Sequence, residues 1–115
     1  MSYPNVQITN STSYIASGTV SYLSIFCSDD NYEVNFAPAT WTAGSRGICL
    51  VTNISAVVRT PARDIVASPY TSSGTSYSQF AIIQTGPDSF EVTRRVSLSE
   101  DTMPADYVEP TENQK

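Results

Sequence analysis

The chain contains no histidine. Histidine is the commonest general base and metal ligand, and its charge changes most readily near neutral pH. Its absence excludes a Ser-His-Asp or Cys-His catalytic device built from this chain alone. A zinc site would have only two cysteines and carboxylates to draw on, which is a poor set of ligands. We therefore expect a protein that is not an enzyme, has no catalytic residue to assign and needs no cofactor.

Charged residues are scarce, at 15% of the 115 residues against the usual quarter. Basic residues are the scarcest, with six Lys and Arg against eleven Asp and Glu. Nucleic-acid binding needs a basic patch that neutralises phosphates, so we expect no nucleic-acid partner. The acids are concentrated near the end of the chain, which leaves the rest nearly neutral; those beyond residue 98 are Glu100, Asp101, Asp106, Glu109 and Glu112.

Long apolar runs are also missing, and no stretch reaches the length that spans a bilayer. The opening Met-Ser-Tyr-Pro-Asn-Val-Gln has neither the basic start nor the apolar segment of a signal peptide. We therefore expect no transmembrane segment, and either a cytoplasmic location or leaderless secretion.

There are only two cysteines, Cys27 and Cys49, so a single disulfide pairing is available. The loop it would close has about 20 residues, which corresponds to about 3 kcal/mol of stabilisation in the chain-entropy model. The alternative is a pair of buried free thiols, which behave as small apolar side chains. Without a recognisable signal peptide, both alternatives stay open.

Ser, Thr and Tyr dominate what is present, and this composition favours sheets over helices. Short apolar runs separated by turn residues recur about every ten residues, which is typical of a sandwich or barrel. We predict an all-β domain over residues 1–98, a single antiparallel β-sandwich of seven or eight short strands. A small β-barrel is the alternative. Residues 99–115 are predicted to be a disordered acidic tail.

The strongest strand signals are residues 48–58 and residues 18–27. Residues 18–27 are apolar on both faces, as in a strand covered on two sides. Tyr32, Val34 and Phe36 alternate with polar residues and predict a half-buried strand. The last strand is predicted over residues 90–98. The Ser/Thr/Gly-rich residues 70–77 are predicted to form a loop.

Two stretches are typical of binding surfaces. Trp41, the only tryptophan, follows Tyr32 in a turn-rich stretch that includes Arg46, and such a combination can grip a sugar face or a lipid headgroup. The stretch from Tyr70 to Tyr77 has the Tyr/Ser/Gly composition of adaptable binding loops. We predict these five side chains as ligand-binding residues. The alternatives are a core Trp41 packed against a cysteine bridge and an ordinary surface loop.

Asp29, Asp30 and Glu33 form a local acidic cluster whose oxygens could bind Ca²⁺. The cluster lacks the spacing and the glycine of an EF-hand loop. A solvated turn capped by the aspartates is the simpler interpretation.

The leading functional hypothesis is a non-enzymatic recognition or assembly module that binds a glycan, a lipid headgroup or a protein through Tyr/Trp/Ser-rich loops. A second hypothesis is a small membrane-active β protein, because the run from Val6 to Asn10 is similar to the first strand of small cytolysin-like β-sandwiches. The scarcity of basic residues argues against it. A third is a structural subunit of a filament or particle, which includes a homo-oligomer.

Overall fold

The computed structural model describes residues 3–44 and 46–95, and these residues form ten strands in two sheets. In chain order the strands are β1 (Gln7–Asn10), β2 (Ala16–Tyr22), β3 (Asp30–Val34), β4 (Ala39–Thr42), β5 (Val51–Ile54), β6 (Val57–Arg59), β7 (Asp64–Val66), β8 (Tyr70–Thr75), β9 (Gln79–Gly86) and β10 (Ser89–Arg94). No helix occurs in the described ranges. The predicted all-β sandwich is confirmed, although the turn pattern predicted fewer strands. The predicted tail, residues 99–115, lies outside the described residues.

One sheet has the strand order β10-β9-β1-β4, in which β9 pairs antiparallel with β10 and parallel with β1. The other has the order β7-β6-β2-β5-β8, and β3 pairs along the remaining edge of β2. Every other pairing of named strands is antiparallel. Over the described residues neither sheet closes on itself, since β4 ends one sheet and β8 ends the other. The alternative of a small β-barrel is therefore wrong.

Apolar side chains from the two sheets meet in one core. Ile8 of β1, Val20 of β2 and Phe80 of β9 are completely buried there. The core also contains a polar residue, Asn10, whose side-chain amide donates to the carbonyl oxygens of Tyr14 and Asn35. Its Oδ1 accepts from the backbone N–H of Thr12 at 2.9 Å. Burial of this amide is tolerated because its donors and acceptor are hydrogen-bonded.

The strand predicted over residues 48–58 is two strands, β5 and β6, and they pair with different parts of β2. The break falls at Ser55, next to Gly18 of β2. A Cβ atom on Gly18 would lie 2.0 Å from the carbonyl oxygen of Ser55. Gly18 is therefore required for the close approach of the two backbones, and this approach separates β5 from β6.

Residues 70–75 were predicted to be part of a loop, but they form β8, an edge strand paired with β5. The Ser72 hydroxyl donates to the carbonyl oxygen of Val51 at 2.6 Å. The polar side chains of this segment therefore suit an edge strand, where alternate positions face solvent.

Two other strands are shorter than predicted. β3 buries Tyr32 and Val34 as expected, but it ends at Val34, and Phe36 beyond it is 58% exposed. β10 buries Phe90 and Val92 as predicted and ends at Arg94. The rest of the predicted last strand, residues 96–98, lies outside the described residues.

Candidate binding site at the disulfide-tied end of the sandwich

Two loops meet at one end of the sandwich, residues 23–29 after β2 and residues 43–50 before β5. They meet because Tyr22, the last residue of β2, pairs with Val51, the first residue of β5. The start of β3 lies at the same end, since Asp30 pairs with Val20 of β2. The antiparallel pairing therefore brings together three connections that are distant in sequence.

A backbone hydrogen bond and a disulfide join the two loops. The N–H of Leu23 donates to the carbonyl oxygen of Leu50 at 2.9 Å. Cys27 and Cys49 form a disulfide, so of the two alternatives for the cysteines the bridge is the correct one. The bridge restricts both loops to a narrow set of conformations.

Four large apolar side chains on these loops are exposed, and we call Leu23, Ile25, Phe26 and Ile48 the apolar tip. Ile25 and Phe26 are 93% and 92% exposed, and Ile48 and Leu23 are 72% and 59% exposed. Contiguous exposed apolar groups with polar neighbours mark protein or membrane interaction sites. The tip is therefore the strongest candidate interaction surface in the described part of the chain.

The predicted strand over residues 18–27 is wrong after Tyr22. The chain turns at Ser24, whose Oγ accepts from the N–H of Phe26 at 3.1 Å. The Ser24 carbonyl oxygen accepts from the N–H of Cys27 at 3.0 Å. These bonds replace the ladder bonds of a longer strand, and the side chains expected in a covered sheet face solvent instead.

Two concave surfaces lie beside the tip and share Phe26 and the disulfide. The apolar groove has a volume of about 290 Å³ and is lined by Leu23, Ser24, Phe26, Cys27, Ile48, Cys49 and Leu50. The polar pocket has a volume of about 260 Å³ and is lined by Tyr22, Phe26, Cys27, Ser28, Asp30, Arg46 and Cys49. An apolar and a charged surface therefore adjoin each other at one end of the molecule.

Tyr22 and Asp30 are hydrogen-bonded in the polar pocket. The Tyr22 hydroxyl donates to Oδ2 of Asp30 at 2.7 Å. Burial of the phenol, and then the hydrogen bond to Asp30, raise the pKa of Tyr22 well above its usual value. Tyr22 therefore stays a neutral donor to Asp30 at any ordinary pH.

Arg46, predicted as a binding residue, is 5% exposed. Its Nε donates to the carbonyl oxygen of Cys49 at 2.8 Å, and its Nη2 to that of Thr75 at 2.7 Å. Its Nη1 lies within hydrogen-bond distance of the carbonyl oxygens of Ser76, Tyr77 and Pro4. The guanidinium thus connects the N-terminal segment, the disulfide loop and the β8–β9 connection, while its charge borders the polar pocket.

Tyr32 and Trp41, also predicted as binding residues, pack together with ring centroids 5.4 Å apart. Tyr32 is buried, and its hydroxyl donates to the carbonyl oxygen of Ser55 at 2.6 Å. Burial raises the pKa of this phenol. Trp41 lies on β4, half-buried against the core, with Tyr32 as its ring neighbour.

Tyr70 and Tyr77 do not share a surface with that pair. Tyr70 packs edge-on against Phe80 with centroids 4.9 Å apart, and it is half-buried. Tyr77 is buried, and the guanidinium of Arg94 lies over its ring at 3.2 Å. Of the five predicted ligand-binding residues, only Arg46 lines one of the two concave surfaces at the tip.

The predicted acidic cluster is dispersed. Asp30 faces the polar pocket, whereas Glu33 lies on the exposed face of β3 and pairs with Arg59 at 3.6 Å. Asp29 is exposed at the end of the loop that precedes β3. Among residues 3–44 and 46–95, no three His, Cys, Asp or Glu side chains lie close enough together to bind a metal ion.

Sequence reasoning missed the apolar tip because its residues were assigned to covered strands. The signal that could have located it is the pair of cysteines, each of which stands beside large apolar residues, Phe26 and Ile48. A bridge between those positions brings Phe26 and Ile48, which are distant in sequence, next to the same covalent link.

No protein-family model, curated protein or solved structure matches this chain. Nor do the described ranges contain a helix with the length and apolarity that crossing a bilayer requires. The site must therefore be interpreted from its own chemistry.

Proposed function

We propose that the protein is a non-enzymatic recognition module that binds the surface of a phospholipid bilayer by inserting the apolar tip. The observation that carries the proposal is the exposure of Ile25 and Phe26, both above 90%, on a loop tied by the Cys27–Cys49 bridge. Exposed side chains of this size are costly in water, and rigid loops lose little entropy when they bind.

The energy available matches reversible membrane binding. Burying a fully exposed Leu, Ile or Phe side chain contributes about 1.5–3 kcal/mol. The four tip side chains are 59–93% exposed and together supply about 5–9 kcal/mol. A single myristoyl chain binds membranes with a constant of about 10⁴ M⁻¹, which corresponds to about 5.5 kcal/mol. The tip therefore supplies about as much binding energy as one acyl anchor, which gives reversible attachment to a membrane.

A second copy of the chain fits this surface less well. The tip has four exposed apolar side chains, whereas a stable protein interface contains about 20–30 residues on each side. A stable protein interface buries about 800 Å² on each partner. A glycan is also disfavoured, because Tyr32 is buried and Trp41, predicted with it to grip a sugar face, is half-buried against the core.

The charges beside the tip and the presence of a disulfide indicate which kind of membrane the protein binds. Asp29 and Asp30 follow the tip directly, so acidic side chains lie beside the proposed membrane-binding surface. At the end of β10, the guanidinium of Arg94 stacks on the ring of Tyr77, and Arg95 donates to the hydroxyl of Thr9 on β1. The cytoplasmic leaflet is anionic, and disulfides persist in oxidising compartments. We therefore propose a neutral, zwitterionic surface that faces such a compartment.

Flotation of the full chain with vesicles of pure phosphatidylcholine tests the proposal. We expect the wild type to float and the double variant Ile25→Ser/Phe26→Ser to partition at least 100-fold more weakly, since both side chains lose their transfer energy. Phe36→Ser is the matched control, because Phe36 is exposed but follows β3 at its far end. It should bind within twofold of the wild type.

Two results would overturn the proposal: a wild type that stays in solution, or a double variant that floats like the wild type. Light scattering on the same samples identifies a second copy as the occupant. If the wild type is a dimer, the double variant is a monomer and neither protein floats, the tip is a self-association surface and the lipid proposal is overturned.

A further inference from the structure

The polar pocket beside the tip holds one negative and one positive charge. Asp30 and Arg46 both line it, together with the hydroxyl groups of Tyr22 and Ser28. Oδ2 of Asp30 accepts from Tyr22, and within the described residues no donor is hydrogen-bonded to Oδ1. The carboxylate therefore retains one oxygen for a ligand. A pocket with both charges complements a zwitterion better than it complements a simple anion or cation.

Arg46 acts in this pocket through its positive charge and does not donate hydrogen bonds to a ligand with Nε and Nη2. Its Nε and Nη2 donate to backbone carbonyls at 2.8 Å and 2.7 Å, which fixes the guanidinium in place. Partial burial strengthens the field of such a fixed charge. A phosphate at the pocket would be attracted to it without any movement of the side chain, and the Ser28 hydroxyl could donate to the same group.

The aromatic lining favours an ammonium group on the side of Asp30. The rings of Tyr22 and Phe26 both line the pocket. Quaternary ammonium groups are recognised by aromatic faces combined with a carboxylate. Phe26 also lines the apolar groove, so a headgroup in the pocket would lie next to the surface that takes the acyl chains.

We propose that the polar pocket binds a phosphocholine-type headgroup, with its ammonium against Asp30, Tyr22 and Phe26 and its phosphate toward Arg46 and Ser28. The identification of a lipid as the source of this headgroup rests on the proposed function. Free phosphocholine carries the same chemistry, and the experiment separates the two sources.

The first arm titrates free phosphocholine into the full-length protein and follows backbone amide shifts by NMR. We expect saturable shifts at the pocket, and about tenfold weaker binding by Asp30→Asn, which keeps an acceptor for the Tyr22 hydroxyl but removes the charge. The control is Asp29→Asn, which makes the same change in net charge at an exposed residue that does not line the pocket. It should bind within twofold of the wild type.

The second arm compares vesicles of phosphatidylcholine with vesicles of digalactosyldiacylglycerol, which is neutral but has neither phosphate nor ammonium. We expect the wild type to prefer phosphatidylcholine by about tenfold, and Asp30→Asn to bind both vesicles equally.

The outcomes separate the two proposals. Equal binding to both vesicles, with no shifts from free phosphocholine, would overturn the headgroup site and leave insertion of the tip intact. Saturable phosphocholine shifts without binding to either vesicle would support the pocket and overturn the lipid surface. If Asp30→Asn and Asp29→Asn weaken phosphocholine binding equally, the effect comes from net charge alone, and this result would overturn the headgroup site.

Discussion

Replacing Arg46 by methionine should lower the free energy of unfolding by about 3–5 kcal/mol. The guanidinium is 5% exposed and lies 2.7–3.2 Å from five backbone carbonyl oxygens. A hydrogen bond to a charged group contributes about 1.5–3 kcal/mol. The five contacts are not additive, because Nη1 is shared among three of the oxygens. Methionine retains much of the buried stem, so the loss comes mainly from carbonyl groups left without a donor.

Urea unfolding followed by the fluorescence of Trp41 measures this loss, since Trp41 is the only tryptophan and packs against Tyr32. A domain with a stability above about 5 kcal/mol, as is usual at this size, still populates the folded state after this loss. Arg63→Met is the control, because Arg63 and its partner Asp88 are 64% and 71% exposed. It should change stability by less than about 0.5 kcal/mol. If the free energy of unfolding of Arg46→Met lies within about 1 kcal/mol of the wild-type value and the denaturant slope is unchanged, the structural role of this arginine is refuted.

Three further predictions concern the frame of the site. Gly18→Ala should destabilise the fold by at least about 2 kcal/mol, because the new Cβ would meet a backbone oxygen at 2.0 Å, whereas Gly44→Ala, with nothing within 4 Å, should be nearly neutral in thermal unfolding. Replacing both bridged cysteines by alanine should remove about 3 kcal/mol in urea unfolding and weaken vesicle binding, and unchanged binding would mean that the bridge does not position the tip. The raised pKa values of Tyr22 and Tyr32 stabilise the fold fully below the unfolded tyrosine value of about 10 and progressively less above it. A variant with both tyrosines changed to phenylalanine should therefore lose less stability across that alkaline range, and a slope equal to that of the wild type would contradict the burial argument.

Local patterns were sufficient for the fold class and for much of the core. Val34, Phe90 and Val92 are buried as their alternation predicted, because alternation reflects directly which side chains share one face of a strand. The residues at which strands end could not be predicted from such local patterns. Ser55 interrupts an apolar run because Gly18, 37 positions earlier in the chain, brings another backbone against it.

The candidate site was hidden for a related reason. Leu23, Ile25 and Phe26 continue a two-faced apolar pattern, and periodicity does not reveal whether anything covers those faces. Tyr77 and Arg46 resembled surface binding groups in sequence, yet each is buried by residues far away in the chain. Local composition indicates which functional groups a segment contains. Contacts between residues distant in sequence decide which of those groups are exposed at the surface.

The most direct test of the lipid proposal is the position of residue 26 in a membrane. Phe26→Trp adds a reporter at the tip, and the wild type, with Trp41 half-buried on β4, supplies the background signal. On phosphatidylcholine vesicles we expect the variant's emission to shift to shorter wavelength and to be quenched by lipids brominated along the acyl chain, while the wild-type emission is unchanged. A variant that floats with the vesicles but is not quenched would contradict insertion through the apolar tip and require a different membrane-facing surface.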